Sequence, residues 1–395
     1  MKKLLSFILT LTLIFALAIP TFADTGVNSE AENESGNDEP VVDLGIEVAS
    51  AYLCDANTGK ILYSVNEKER RSPASVTKIM TLLLVCEALS EGRFSLEDEV
   101  CISAYAASMG GSQVFLEEGE RFTVEELIKC TVIASANDAA VALAELTYGS
   151  EAAFVAKMNE RARLLGLTST SFENVTGLDD DTVNHYTSAE DIAKMSRELL
   201  THDIILKYSG IWQDTIRNGE FTLTNTNRLV RYYDGCNGLK TGSTDKAGYC
   251  ISATAKRGGL QLIAVVMGAE TRDKRNAAAK AMLDYGFATY GLYEDGGEFL
   301  ENVPVTSGKI NEAAVYSKPF SALLDKSKLS SVEKRYSIPE TLSAPLKAGD
   351  IVGEIVYTLD GEEIGKSEIY VDCDVEKINL FELYIRILKT VFTGC

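Results

Sequence analysis

The sequence predicts a mixed α/β (α+β) chain: an antiparallel sheet interrupted by a helical insertion, then a small all-β domain and a terminal amphipathic helix. Three observations carry this. Strand-like runs near residues 49–64 return only at Gly248 to Ala255 and Leu260 to Met267, so one sheet draws strands from both ends of a domain. The chain between them has helical texture, and from about Leu292 it changes to short alternating runs broken by Gly and Pro.

Taken in order, Lys2 and Lys3 precede an apolar run from Leu4 to Ile19, and small residues around Ala23 give a cleavage-like end, so residues 1–23 are expected to be a removed export signal. Residues 24–40 hold Asp24, Glu30, Glu32, Glu34, Asp38 and Glu39 with no positive charge, the composition of a disordered acidic tether. A domain over 41–291 follows. It opens on a hairpin, Ala49 to Cys54 and Lys60 to Ser64, joined by the turn residues Asp55-Ala56-Asn57-Thr58-Gly59. Helices are expected at Ile79 to Leu89, Thr123 to Ile133, Asp138 to Thr147, Ala152 to Leu165 and, after the returning strands, Arg272 to Tyr290. A β-rich domain over 292–372 includes a hairpin turning at Asp360-Gly361. Within the last segment, 373–395, Ile378, Phe381, Tyr384, Ile385, Leu388, Val391 and Phe392 share one helical face, with Glu382, Arg386, Lys389 and Thr393 opposite. Such a terminal stripe suits a membrane surface.

Composition excludes several functions. Of 395 residues, 38 are Lys or Arg and 58 Asp or Glu, a net charge of −20 that argues against nucleic-acid binding by counterion release. Eight cysteines without a C-x-x-C spacing argue against a metal or a thiol-redox motif, so no metal or cofactor is expected, and no disulfide pairing is assigned. There are two histidines, His185 and His202, and no His-Glu-x-x-His pair, so a nucleophile here needs another base.

Ser75 and Lys78 are one turn apart at the start of the helix-like run, where unpaired N–H groups gather. The apolar neighbours Ile79, Met80 and Leu82 to Leu84 desolvate Lys78, favouring a neutral amine able to act as base toward Ser75 Oγ. Alone, Ser-x-x-Lys reads more readily as a helix cap followed by a solvated lysine, Ser135 as a cap, and Lys240-Thr241-Gly242 as an exposed strand end. In the order Ser-x-x-Lys, Ser-x-Asn, Lys-Thr-Gly they match the serine penicillin-recognising enzymes.

From about Ala49 to the C-terminus the chain resembles the exported, low-molecular-mass penicillin-binding proteins that are D-alanyl-D-alanine carboxypeptidases. The resemblance runs through Arg71 to Met80, Ala134 to Ala140, Gly177-Leu178, His185 to Ser188, Asn225-Thr226-Asn227, Gly238 to Gly242, Ala247 to Cys250 and Leu283 to Phe287. It implies a transpeptidase/β-lactamase-like domain with Ser75 as acylated nucleophile, Lys78 as proton acceptor and Ser135 as relay to the leaving amine. Asn137 would orient Lys78 and bind the substrate amide, and Lys240, Thr241 and Thr244 would hold the terminal carboxylate with Arg275 nearby. The N–H groups of Ser75 and Ser243, beside Gly242, would form the oxyanion hole. Ser243 stands where many relatives carry a bulkier residue or a histidine. His185 would belong to a loop beside the site, and His202 to the surface.

The implied partners are peptidoglycan pentapeptide stems, β-lactam antibiotics and the membrane surface, outside the cytoplasm. A β-lactamase, or an inactive penicillin-sensing or wall-binding protein, are the alternatives. No deacylating glutamate can be placed for the first, and the intact Ser75, Lys78, Ser135 and Lys240 oppose the second.

Overall fold

The computed structural model describes residues 42–393, so the expected signal and tether lie outside the described residues. A five-stranded antiparallel sheet runs in the order Ile61–Val65, Ser50–Asp55, Leu260–Ala269, Gly248–Arg257, Cys236–Thr244. Side chains alternate across it. Tyr52, Cys54, Ile263, Val265 and Met267 pack into the helical insertion, whereas Ala51, Leu53, Leu262, Ala264 and Val266 pack beneath the helix Arg272–Thr289 through Ala279, Met282 and Leu283. Burial on both faces explains why the central strands read as continuous apolar runs.

The insertion holds the helices Lys78–Ser90, Val124–Ile133, Asn137–Tyr148, Glu151–Leu164 and Ala189–Leu199. Val124–Ile133 starts in a capping box, Thr123 accepting from Glu126 N while the Glu126 carboxylate accepts from Thr123 N. Lys78–Ser90 is buried along most of its length, so its apolar residues show no single stripe. Two short hairpins, Glu99–Cys101 with Arg121–Thr123 and Gln213–Ile216 with Phe221–Thr224, interrupt the expected helical texture. Strands of three or four residues are too brief to establish a period of two.

The sheet's edge strand Cys236–Thr244 is legible in the sequence only at Lys240 to Gly242, as a strand end that reads as exposed when the motif is taken alone. It is a nine-residue strand with Lys240, Thr241 and Gly242 buried. Its polar, Gly-containing sequence has little intrinsic strand preference, and pairing supplies the extended form, with Lys240 opposite Ser252, Thr241 opposite Ile251 and Ser243 opposite Tyr249.

The expected boundary after residue 291 falls inside the strand Tyr290–Asp295, which pairs with Phe320–Asp325, because helix Arg272–Thr289 runs straight into it without a linker. A six-stranded sheet then packs Val303, Val315, Ile355, Tyr357, Ile369 and Val371 into a second core, with Asp360-Gly361 turning the hairpin Ile351–Leu359 and Glu362–Val371. The terminal helix is Leu380–Thr393 and does not begin at 373, since Val375 and Lys377 bridge back to Leu346 and Gly308. Its Glu382 pairs with Lys309, and Arg386 donates to the Lys309 carbonyl at 2.7 Å. Phe381, Tyr384 and Phe392 are 73%, 59% and 82% exposed. No helix among the described residues is long and apolar enough to cross a membrane.

Candidate active site

Ser75 lies not in the α-helix but in the single 3-10 turn Ala74–Thr77 that precedes Lys78–Ser90. Ala74 has φ 48°, an unusual value for alanine that turns the backbone sharply just before the serine. Two glycines let other segments press on this turn. A Cβ on Gly177 would sit 1.8 Å from the Ala74 carbonyl oxygen, and one on Gly242 would sit 2.8 Å from both Pro73 O and Ser75 N. Gly242 thereby lets the edge strand lie directly against the serine's own backbone.

Lys78 Nζ lies 3.0 Å from Ser75 Oγ, 2.6 Å from Asn137 Oδ1 and 2.8 Å from the Thr176 carbonyl oxygen. The last contact exists because Asn174 folds its loop, accepting from Gly177 N at 2.7 Å and donating to the Leu178 carbonyl at 2.7 Å. Lys78 is fully buried, and burial first, then the charge of Lys240, pushes its pKa well below that of a free lysine, while Asp138 opposes the shift.

Ser135, at φ 65°, makes the turn between Val124–Ile133 and Asn137–Tyr148 and accepts from Lys240 Nζ at 2.8 Å. Lys240 also donates to the Thr241 carbonyl at 2.9 Å, and burial together with nearby Arg275 lowers its pKa to about 7. Asn137 donates through Nδ2 to the Gly110 carbonyl at 2.7 Å, so both ends of its amide are engaged. Asp138 accepts from Val114 N and Leu116 N, anchoring the loop that follows Ser112.

Above these residues is a cavity of about 660 Å³ lined by Ser75, Ser135, Thr241, Gly242, Ser243 and Arg275, with Ser112, Trp212, Thr224 to Thr226, Arg228, Tyr232 and Arg272 completing the wall. Arg275 is buried, its guanidinium hydrogen-bonded to Asn276 Oδ1, and burial with adjacent Arg272 lowers its pKa to about 10. Thr241 donates to Thr226 Oγ1 at 2.8 Å.

Thr244 departs from expectation. It lies outside the cavity wall, donates to Asp179 Oδ2 at 2.7 Å and accepts from Ala247 N, leaving its hydroxyl committed. Asp179 also accepts from Ser72 Oγ at 2.6 Å, so this carboxylate ties the nucleophile segment to the end of the edge strand.

His185 is buried, with Nε2 2.8 Å from Thr77 Oγ1 and Nδ1 accepting from Glu173 N. Burial lowers its pKa to about 4, leaving a neutral ring that braces the loop. His202 is half-buried, with Nδ1 3.3 Å from Ser90 Oγ.

Thr176, Asp138, Asp179 and Arg228 were not singled out from the sequence. Carbonyl contacts such as that of Thr176 leave no side-chain signature at all. Among the described residues the seven cysteines are free thiols, and no cluster of His, Cys, Asp and Glu is arranged to hold a metal ion.

A serine set against a buried lysine on the edge of an antiparallel sheet, beneath a cationic cavity, defines a serine hydrolase of the penicillin-recognising class. The D-alanyl-D-alanine carboxypeptidase family model matches residues 36–271, and the model of the C-terminal domain of penicillin-binding protein 5 matches residues 287–377. D-alanyl-D-alanine carboxypeptidase DacF of Bacillus subtilis (strain 168) is 42% identical over 385 residues, covering 95% of each chain. DacA of Escherichia coli (strain K12) is 34% identical over 364 residues, covering 88% of each. Penicillin-binding protein 5 of Haemophilus influenzae superposes with a TM-score of 0.68 at 32% identity, over 84% of this chain and 98% of that one. Penicillin-binding protein D2 of Listeria monocytogenes, in its ampicillin-bound form, does so with a TM-score of 0.58 at 30% identity, over 62% and 100%. The chain belongs to the D-alanyl-D-alanine carboxypeptidase family, peptidase family S11, with a C-terminal domain of the penicillin-binding protein 5 type. It is a serine-type D-Ala-D-Ala carboxypeptidase of peptidoglycan metabolism, of the penicillin-binding protein class.

Proposed function

We propose that Ser75 is the acylated nucleophile and that Lys78, as a neutral amine, is its base. The observation carrying this is the set of partners around Lys78 Nζ. Asn137 Oδ1 and the Thr176 carbonyl can only accept, so they take both N–H groups of a neutral amine and leave its lone pair toward Ser75 Oγ, 3.0 Å away. Once Lys78 takes the serine proton, the same two oxygens hold the ammonium. Ser75 Oγ adds to the carbonyl of the penultimate D-alanine, and the oxyanion meets the N–H groups of Ser75 and Ser243; each such donor is worth roughly 3 kcal/mol in the transition state.

Ser135 already accepts from Lys240, which leaves its own hydrogen for the leaving amine. Thr241, once its hydroxyl turns from Thr226 to the substrate, and Arg275, with Lys240 beneath, hold the terminal carboxylate, and Gly242 keeps the strand close enough for Ser243 to reach. Asn137 acts on Lys78. Thr244 acts as a strut to Asp179. Water then takes the place of the leaving amine, activated by Lys78, and releases the shortened stem. No carboxylate lines the cavity, which disfavours a lactamase with a dedicated glutamate base.

The terminal helix is the candidate membrane contact. Fourteen residues span about 21 Å, short of the roughly 30 Å hydrocarbon core, so the helix lies in the interface instead of crossing it. Its outward aromatic and aliphatic side chains are the surface offered, and together with the leader-like residues 1–23 they support an extracytoplasmic, membrane-bound enzyme. Incubation with a penicillin followed by peptide mass spectrometry tests the nucleophile. An adduct on Ser75, absent in Ser75→Ala, together with D-alanine release from a peptide ending in D-Ala-D-Ala, is expected; an adduct elsewhere refutes the assignment.

A further inference from the structure

Asn137 holds Lys78 Nζ through Oδ1, and its own position depends on a segment without helix or strand, residues 108–120. The Ser112 carbonyl accepts from Asn137 N at 2.7 Å, and the Gly110 carbonyl accepts from Asn137 Nδ2 at 2.7 Å. Gly111 lies between them at φ 76°. A Cβ there would sit 2.8 Å from Asn137 Nδ2, so the loop meets the amide with no side chain intervening. Such a loop lacks the ladder of hydrogen bonds that fixes a helix or strand, and its backbone groups need partners from elsewhere.

Two charged side chains supply them from opposite sides. Asp138, at the start of helix Asn137–Tyr148, accepts from Val114 N and Leu116 N at 3.1 Å each. Arg217, in the turn between strands Gln213–Ile216 and Phe221–Thr224, donates from Nη1 to the Val114 carbonyl at 2.9 Å and from Nη2 to the Phe115 carbonyl at 2.8 Å. The amide and the carbonyl of Val114 are thus both engaged by side chains. Glu120, at the far end of the loop, takes the rest of the guanidinium, with Nε 2.7 Å from Oε1 and Nη2 2.9 Å from Oε2. The rings of Phe122 and Phe221 lie 5.2 and 5.7 Å from its central carbon. Arg217, Asn218 and Gly219 have φ 52°, 54° and 95°, three left-handed residues in succession. Two of them are not glycine, and backbone of that kind persists only where its surroundings over-determine it.

We propose that Arg217 is a positioning residue for acylation: its fork clamps the loop at Val114 and Phe115, the clamped loop holds the amide of Asn137, and Asn137 keeps Lys78 aimed at Ser75. The role rests on the assignments of Ser75, Lys78 and Asn137 made above. Arg217 itself lies outside the cavity wall. Without the fork the loop keeps only its Asp138 anchor, the carbonyls of Gly110 and Ser112 are no longer fixed, and Asn137 Oδ1 withdraws from Lys78. Charge and geometry then predict opposite signs. The charges that act on Lys78 are Lys240 and Asp138, and Arg217 is hydrogen-bonded to neither. Deleting a cation favours the ammonium form of Lys78 and would move the acid limb of acylation to higher pH, whereas withdrawing the Asn137 oxygen disfavours the ammonium and moves that limb to lower pH.

The test follows the rate constant for acylation by a fluorescent penicillin across the acid limb and the plateau. Arg217→Gln should lower the plateau roughly tenfold, inside the ~100-fold that a 1 Å misplacement costs, and shift the limb to lower pH. Arg217→Lys keeps the charge beside Glu120 but has no fork for two carbonyls, so it should show the same shift, and it serves if the Gln variant does not fold. Asn137→Ala should move the limb in the same direction, and adding Arg217→Gln to it should move it no further, because the two act in series. Arg161→Gln breaks an ion-pair cluster with Glu87 and Glu198 away from the cavity; it is the control for lost stability and should leave the limb in place. A limb that stays put or moves to higher pH in both Arg217 variants, or an Arg217→Gln shift that adds in full to that of Asn137→Ala, overturns the positioning role while leaving Asn137 and Lys78 in theirs. A limb that Asn137→Ala does not move overturns the role of Asn137 and the clamp with it.

Discussion

Gly242→Ala probes the contact on which the oxyanion site depends. The added Cβ would meet Pro73 O and Ser75 N at 2.8 Å and Val76 N at 2.9 Å, three backbone atoms that no rotamer change can move aside. Restoring the 3.4 Å of ordinary contact requires the edge strand and the nucleophile turn to separate by about 0.6 Å, and a 1 Å misplacement at a reacting centre costs about 100-fold. We expect kcat/KM for D-alanine release, and the rate constant for acylation by a fluorescent penicillin, to fall roughly 10- to 100-fold. Complete loss of one oxyanion donor, about 100- to 1,000-fold, sets the ceiling. Overpacking should destabilise the domain by roughly 1–3 kcal/mol, measured by denaturant unfolding. Gly296→Ala, where a Cβ meets open space, is the control and should leave both quantities unchanged. A folded Gly242→Ala protein that acylates within twofold of the parent would refute the claim that strand-to-turn distance sets the rate.

Three further outcomes follow from the same geometry. Asn137→Asp puts a carboxylate where an amide oxygen lies 2.6 Å from Lys78 Nζ, favouring the ammonium form, so the acid limb of the pH–acylation profile should move to higher pH; an unmoved limb rejects Lys78 as the base. His185 is held neutral in the fold, with its pKa lowered from 6.5 to about 4, so its contribution is fully present above pH 6.5 and is lost as pH falls toward 4. The unfolding free energy should therefore drop by up to about 3 kcal/mol over that window, and His185→Gln should flatten the difference in denaturant titrations at the two ends. A chain truncated after Lys377 should release from lipid vesicles in a flotation assay while keeping its full D-alanine release, because the helix is tied to the β-rich domain through Glu382 and Arg386 at Lys309, away from the catalytic cavity; persistent flotation assigns membrane binding elsewhere.

Legibility followed the range of the interactions involved. The first hairpin, the capped helix Val124–Ile133 and the returning strands were readable because capping, turn chemistry and periodicity act over a few residues. The short hairpins of the insertion were not, and the strand Cys236–Thr244 was glimpsed only at one end, since its conformation comes from a neighbour and not from its own side chains. At the site, Ser75, Lys78, Ser135, Asn137 and Lys240 were recognisable as residue types in a particular order. Thr244 illustrates the limit: placed with the carboxylate holders by its position in the motif, it is turned to Asp179, a partner 65 residues away in sequence.

What the sequence alone determined is the chemistry on offer: two histidines and a desolvated Lys78 point to a lysine base, and the three motifs in order point to the family. Tertiary structure decided the protonation logic and the shape of the site. Two carbonyl oxygens lie against Lys78 Nζ and would direct the lone pair of the proposed neutral amine, one of them a backbone oxygen from a loop about 100 residues distant. Three arginines of an acidic chain converge on one cavity only because a strand, a loop and a helix start meet there. Directionality of hydrogen bonds and the local field of charges depend on where atoms lie in space, and linear order does not encode that until the chain has packed.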